Sequence, residues 1–264
     1  MKIFTLIFLS AFLSFTSEGQ VKKATSSKST TAKTTASKKI VAKKPLTKPA
    51  VAKTPAKSTA PTGNEPTRIR ITTDSGILVV KLYDSTPLHR DNFIRLVQQG
   101  FYDSLMFHRV IAGFMIQGGD PLSKNAQAGT MLGNGGGDMT RIPAEFKSTL
   151  RHKRGALAAA RDGNPEKASS ACQFYIVHGK KLSDAEIDMF ENRKGSKYSA
   201  KEREEYKTNG GTPSLDMEYT VFGEVESGFE VIDKIATVSK DAMNRPSGDV
   251  RMKMEIINLN KQIR

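Results

Sequence analysis

The chain has 264 residues, with 41 Lys+Arg against 27 Asp+Glu and a net charge of +14. A single cysteine, Cys172, excludes an intramolecular disulfide scaffold and a CxxC zinc site, and none of the four His stands in HExxH or H-x3–5-H spacing. Such a charge first suggests a nucleic-acid partner, but eleven Lys against one acid place +10 in residues 20–66 and leave +4 for residues 67–264.

The N-terminus combines Lys2, an apolar run from Ile3 to Phe15 and the small or polar Thr16-Ser17-Glu18-Gly19. This is the pattern of a secretory signal peptide over residues 1–19, with Ser17 and Gly19 as the small residues before a cut at Gln20. The run is short for an uncleaved membrane anchor. Export to the periplasm or the exterior is the expectation, and a lone thiol that cannot mispair within its own chain agrees with it. Residues 20–66 are almost wholly Lys, Thr, Ser, Ala and Pro, with no aromatic residue. Too little apolar area is available to offset chain entropy, so a disordered linker is expected. Two roles stay open for it: a solvated tether, or weak docking on polyanions such as anionic glycans or lipid head groups. Without stacking aromatics, nucleic acid is not expected to bind there.

From Thr67 the texture becomes globular. The stretch RIRITTDSGILVVKLYD alternates on either side of Asp74-Ser75-Gly76 and predicts a β-hairpin. Thr86-Pro87 reads as N-cap and first residue of an amphipathic helix over 87–99, closed by Gly100. Strand-like runs follow at MFHRVI, FMIQGG, GALAAA, CQFYIVH, YTVFGEV and RMKMEIINL, and GFEVIDKIA (228–236) predicts a second core helix. The glycines of GTMLGNGGG (129–137) fail the GxGxxG spacing at Asp138 and read as a turn-rich loop. Residues 180–212 hold eight basic and seven acidic residues in helix-prone stretches, a surface insertion carrying one or two helices.

No nucleophile elbow, P-loop or metal-ligand constellation appears, so neither a metal nor a cofactor is expected. The stretches FHRVI (107–111) and FMIQGGDP (114–121) instead place Arg109, Met115 and Gln117 on one face of adjacent strands. These stretches resemble the signature of the cyclophilin-type peptidyl-prolyl cis–trans isomerases. Further matching blocks are TPLHRDNFIRLVQQGFYDSLMFHRV, IPAEF (142–146), GALAAAR (155–161), CQFYIVHG (172–179), LDMEYTVFGEV (215–225) and GFEVIDKI (228–235), covering nearly all of 67–264.

The resemblance implies a mainly β fold, a closed eight-stranded antiparallel barrel capped by two α-helices, here with a helical insertion. It implies an enzyme that accelerates rotation about Xaa-Pro bonds, acting as a monomer on proline-containing peptides and unfolded proteins. Its catalytic arginine falls on Arg109 and the groove glutamine on Gln117. The proline pocket falls on Phe114, Met115, Phe174 and Leu215, with Tyr219 at its edge, and Ala160, Arg161 and Gln173 line the neighbouring peptide groove. Four positions depart from the common pattern: Ser214 replaces a bulky residue, Met217 a glycine, Arg161 an asparagine and Cys172 a serine. A non-catalytic module that captures Pro-containing segments, localised by its basic tail, is the alternative these departures suggest.

Overall fold

The computed structural model describes residues 65–257. The leader-like segment 1–19, the linker through residue 64 and the last residues, 258–264, lie outside the described residues, so the expectations for them stand as made.

Eight strands form one antiparallel sheet: β1 (Arg68–Thr73), β2 (Gly76–Leu82), β3 (Phe107–Ile111), β4 (Met115–Gly118), β5 (Ala156–Ala159), β6 (Phe174–Val177), β7 (Val221–Ser227) and β8 (Met252–Ile257). Their order is β3-β4-β6-β5-β7-β2-β1-β8. The predicted hairpin closes through Asp74-Ser75, with Thr73 opposite Gly76. Gly76 has φ +134°, and a Cβ there would lie 2.7 Å from a Val231 methyl, so glycine is required on both counts. Period-2 alternation sends Ile69, Ile71, Leu78, Val80 and Leu82 into the core.

The sheet curls around that core as an open half-barrel, which corrects the closed barrel that the resemblance implied. Strands β3 and β8 stand at opposite ends of the order and form no ladder with each other. Two outward donors of β3 are already used: Phe107 N–H bonds Val250 O at 2.9 Å and Val110 N–H bonds Asn244 O at 2.8 Å. Around the isolated bridge Met106–Arg251, Met252 N–H bonds Leu105 O at 2.8 Å and Ser104 N–H bonds Met252 O at 2.9 Å, so the two ends touch through single bonds and not through a ladder.

Among the described residues four α-helices accompany the sheet: α1 (Pro87–Gln98), α2 (Asp184–Lys194), α3 (Ala200–Thr208) and α4 (Phe229–Ala236). The two core helices, α1 and α4, bury Phe93, Leu96 and Val97, and Val231, Ile232 and Ile235. Helix α1 starts as expected but is capped differently. The Thr86 side chain makes no cap bond. Instead the Glu145 carboxylate accepts from the N–H groups of Leu88 at 3.1 Å and His89 at 3.0 Å. A carboxylate facing the positive end of a helix does this well, whichever part of the chain supplies it. The insertion contains α2 and α3, each opened by a capping box, Ser183/Glu186 and Ser199/Glu202. These helices enclose a small apolar cluster of their own: Leu182, Ile187, Tyr198 and Tyr206, with Phe190 against it.

Candidate functional site

The outer face of β3, β4 and β6 is organised in rows perpendicular to the strands. Register places Arg109 opposite Gln117, Gln117 opposite Tyr175 and Tyr175 opposite Ala158. One row along, Ile111 faces Met115 and Met115 faces Val177. Arg109 reaches this face through a β-bulge. Phe107 pairs with Gly118 and Arg109 with Gln117, so His108 is an extra residue in β3. Regular alternation would put Phe107 and Arg109 on the same face. The bulge leaves Phe107 in the core and turns Arg109 outward.

Arg109 Nη1 donates to Gln117 Oε1 at 3.2 Å, and Gln117 Nε2 donates to Gln173 Oε1 at 3.0 Å. Gln173 Nε2 in turn donates to the carbonyls of Gly133 and Gly135, both at 2.9 Å. This chain of amides orients each member: the loop carbonyls fix the Gln173 amide, which fixes Gln117, whose oxygen holds the guanidinium. Packing between the glycine loop and the sheet is close, since a Cβ on Gly136 would stand 2.3 Å from Cys172 Sγ. The loop consists of turns, as the failed GxGxxG spacing suggested.

Beside this polar line lies an apolar patch. Met115, Ala156, Ala158, Ala160, Tyr175, Val177 and Val221 are buried together, with Ile111, Phe114, Leu215 and Tyr219 partly exposed against them. Of the expected pocket residues, Phe114, Met115, Leu215 and Tyr219 therefore come together, next to Arg109 and Gln117. Phe174 does not. It points inward at 1% exposure and packs against Phe93, Tyr102 and Phe107 at centroid distances of 5.6, 5.6 and 6.0 Å. Its neighbour Tyr175 takes the outer face, edge-on to Tyr219 at 5.8 Å. The alternation of β6 carries the signal for this exchange: with Gln173 in the groove, residue 175 shares its side and residue 174 faces the core.

A neighbouring groove of about 370 Å³ is lined by Gln117, Ala160, Arg161 and Gln173 together with the Gly133–Gly137 loop and Met139. Arg161 is tied down here: its Nε donates to Glu218 O at 3.0 Å, and its guanidinium lies 4.6 Å from the Tyr219 ring centre. It thus braces the pocket-edge tyrosine. Met217 has φ +59° in the turn between Leu215 and Tyr219. That left-handed conformation costs a residue with a Cβ about 1 kcal/mol. Met217→Gly is therefore expected to leave the fold as stable or stabilise it by up to about 0.6 kcal/mol in urea unfolding, after the added freedom of the unfolded glycine, about 0.4–1 kcal/mol, is subtracted.

Behind Arg109, His108 is buried, and among the described residues neither of its ring nitrogens finds a hydrogen-bond partner. Burial lowers its pKa to about 4, only partly countered by Asp120. A histidine in the unfolded chain titrates near 6.5, so protonation between these values favours unfolding. The contribution to stability is complete above about pH 6.5 and is lost as pH falls toward 4. His108 alone should make the protein about 2 kcal/mol less stable at pH 5 than at pH 8. Urea titrations at the two pH values test this, and His108→Gln should shrink the difference by that amount.

An oriented guanidinium beside an apolar patch and a neighbouring groove can grip a small apolar ring and donate a hydrogen bond next to it. Comparison with known proteins shows the family. The family model for cyclophilin type peptidyl-prolyl cis-trans isomerases matches residues 68–256. A Streptococcus pyogenes protein named as a bifunctional phosphatase/peptidyl-prolyl cis–trans isomerase is 36% identical over 186 residues, 69% of this chain but only 37% of its own length. A Staphylococcus haemolyticus protein named as a peptidyl-prolyl cis–trans isomerase is 32% identical over 184 residues, 69% of this chain and 87% of its own. The crystal structure of a Cryptosporidium parvum cyclophilin type peptidyl-prolyl cis-trans isomerase superposes with TM-score 0.56 and 25% identity, covering 74% of this chain and 99% of that one. The chain belongs to the cyclophilin-type peptidyl-prolyl cis–trans isomerases, enzymes that accelerate rotation about Xaa-Pro peptide bonds.

Proposed function

We propose that Arg109 catalyses the rotation of Xaa-Pro bonds in exported polypeptides, with the proline ring seated on Phe114, Met115, Tyr175, Leu215 and Tyr219. The Arg109–Gln117 pair at 3.2 Å, set directly beside this apolar patch, carries the reading. The uncatalysed barrier, roughly 18–20 kcal/mol, is the resonance of the peptide bond, and exchange takes tens to hundreds of seconds. Twisting the bond returns a lone pair to the prolyl nitrogen. A guanidinium beside that nitrogen donates to it in the twisted state, whereas the planar ground state offers it little to accept with. The interaction thus favours the transition state over the substrate. Arg suits the task because it stays charged and presents several donors from a rigid plane. Gln117 holds the guanidinium, and its amide is placed to engage a substrate carbonyl. The apolar pocket restrains the ring while the other side of the bond turns, and no nucleophile takes part.

Support for proline-containing peptides as ligands comes also from the Cryptosporidium cyclophilin solved in the presence of the dipeptide Ala-Pro, which shares this fold at TM-score 0.52 and 24% identity. The leader-like residues 1–19 support action outside the cytoplasm, on proteins folding after export. The Lys-rich segment 20–66 serves there as a tether, with a weak polyanion contact as its further use, and the enzyme works as a monomer. Exchange spectroscopy on an Xaa-Pro peptide with the full chain tests the chemistry. Acceleration over background is expected, and binding without acceleration would instead establish a capture module. Cell fractionation tests the compartment, since recovery in the cytoplasmic fraction overturns export.

A further inference from the structure

The insertion is not merely attached beside the groove. Asp216, the residue after pocket-lining Leu215, is 1% exposed, and its carboxylate collects four contacts. One oxygen accepts from His152 N–H at 2.7 Å and faces His152 Nδ1 at 2.9 Å. The other accepts from the hydroxyls of Tyr198 at 2.8 Å and Tyr206 at 2.6 Å. Both tyrosines belong to the insertion: Tyr198 precedes α3 and Tyr206 lies in it. Helix α2 adds Lys194, whose Nζ donates to Asp216 O at 2.6 Å. Burial alone would raise the Asp216 pKa, but the bonds from His152 and Tyr206 outweigh it and hold the group below its ordinary value, so it is a carboxylate at neutral pH.

From Asp216 the network continues to the pocket. His152 is fully buried, and its Nε2 lies 3.0 Å from Tyr175 Oη, with the two rings stacked at 6.1 Å. A carboxylate can only accept, so Nδ1 carries a proton and donates to Asp216, while Nε2 and the Tyr175 hydroxyl share the second hydrogen bond. One continuous line of hydrogen bonds thus runs from the insertion hydroxyls through Asp216 and His152 to the aromatic ring in the pocket. Its midpoint is covalently joined to Leu215. A buried carboxylate is costly unless every acceptor site is used, so its donors constrain one another's positions.

We propose that Asp216, His152, Tyr198 and Tyr206 are positioning residues through which the insertion sets the shape of the proline pocket and so the affinity for Xaa-Pro segments. This rests on the reading of that face as the proline-binding site. The alternative is that the network only holds the insertion to the sheet, in which case its loss would lower stability and leave peptide binding alone. Tyr206→Phe, Tyr175→Phe and the double variant, made in the full chain, separate the two. Peptide Kd and the rate of exchange in the bound state are read together by NMR. Tyr206→Phe should weaken peptide binding about threefold to tenfold while bound-state exchange stays within about twofold, and the double variant should be no weaker than the worse single one. Tyr198→Phe, which removes the other hydroxyl from the same carboxylate oxygen, should act in the same direction, so the test survives if one variant fails to fold. Wild-type affinity in both insertion variants, or single-variant losses that simply multiply in the double, overturns the inference. A wild-type chain with no affinity for the peptide refutes the groove reading and the inference with it, whereas unchanged affinity in the variants refutes the inference alone.

Discussion

Replacing Arg109 by Ala lowers kcat/KM for an Xaa-Pro peptide by about 100- to 1,000-fold, the usual effect of deleting one donor that acts on the transition state. Peptide affinity should change far less, because Phe114, Met115, Tyr175, Leu215 and Tyr219 remain in place. The fold should tolerate the change. Arg109 is half-buried on an outer face, and its side chain makes one hydrogen bond, to Gln117. Arg109→Lys keeps the charge but loses the rigid fork, and belongs between the two. Protease-coupled or exchange measurements decide, and an Arg109→Ala enzyme within fivefold of wild type would remove Arg109 from the mechanism.

Phe174→Ala has the largest expected effect on stability, a loss of about 3–5 kcal/mol in urea unfolding. The ring lies at the centre of an aromatic cluster with Phe93, Tyr102 and Phe107, and no rearrangement of β6 between two ladders can fill the space it leaves. The fraction that stays folded should retain kcat/KM within about threefold, because the groove is built on the opposite side of the strand. A variant that keeps its stability and loses peptide binding would return Phe174 to the pocket and displace Tyr175 from it.

Much of this molecule is legible in its residue order. The alternation around Asp74-Ser75-Gly76, the 3.6-residue spacing of Phe93, Leu96 and Val97, and the short apolar runs foretold eight strands and the two core helices, and the charge-rich, helix-prone stretches of 180–212 foretold one or two helices there, of which the structure has two. What escaped the reading has two physical causes. Some of it depends on backbone irregularity: one extra residue at His108 separates the core-facing Phe107 from the groove-facing Arg109, and no side-chain pattern announces a bulge. The rest depends on partners distant in sequence. The α1 cap comes from Glu145, 57 positions beyond Leu88, and the Asp216 network draws on His152, Tyr198 and Tyr206. Phe174 is a third kind of case, legible but passed over, since placing Gln173 in the groove already assigns residue 174 to the core.

The unpaired ends of the sheet have a consequence for the company this protein keeps. A free strand edge offers a template onto which an extended chain can add, and an enzyme that acts on Xaa-Pro peptide bonds meets extended segments at every turnover. Here the strand bearing Arg109 stands at the end of the sheet, yet its Phe107 and Val110 donors are taken by Val250 and Asn244 of its own chain. An extended peptide segment therefore finds these two backbone donors occupied. Release after each rotation then requires no strand to be unzipped from them.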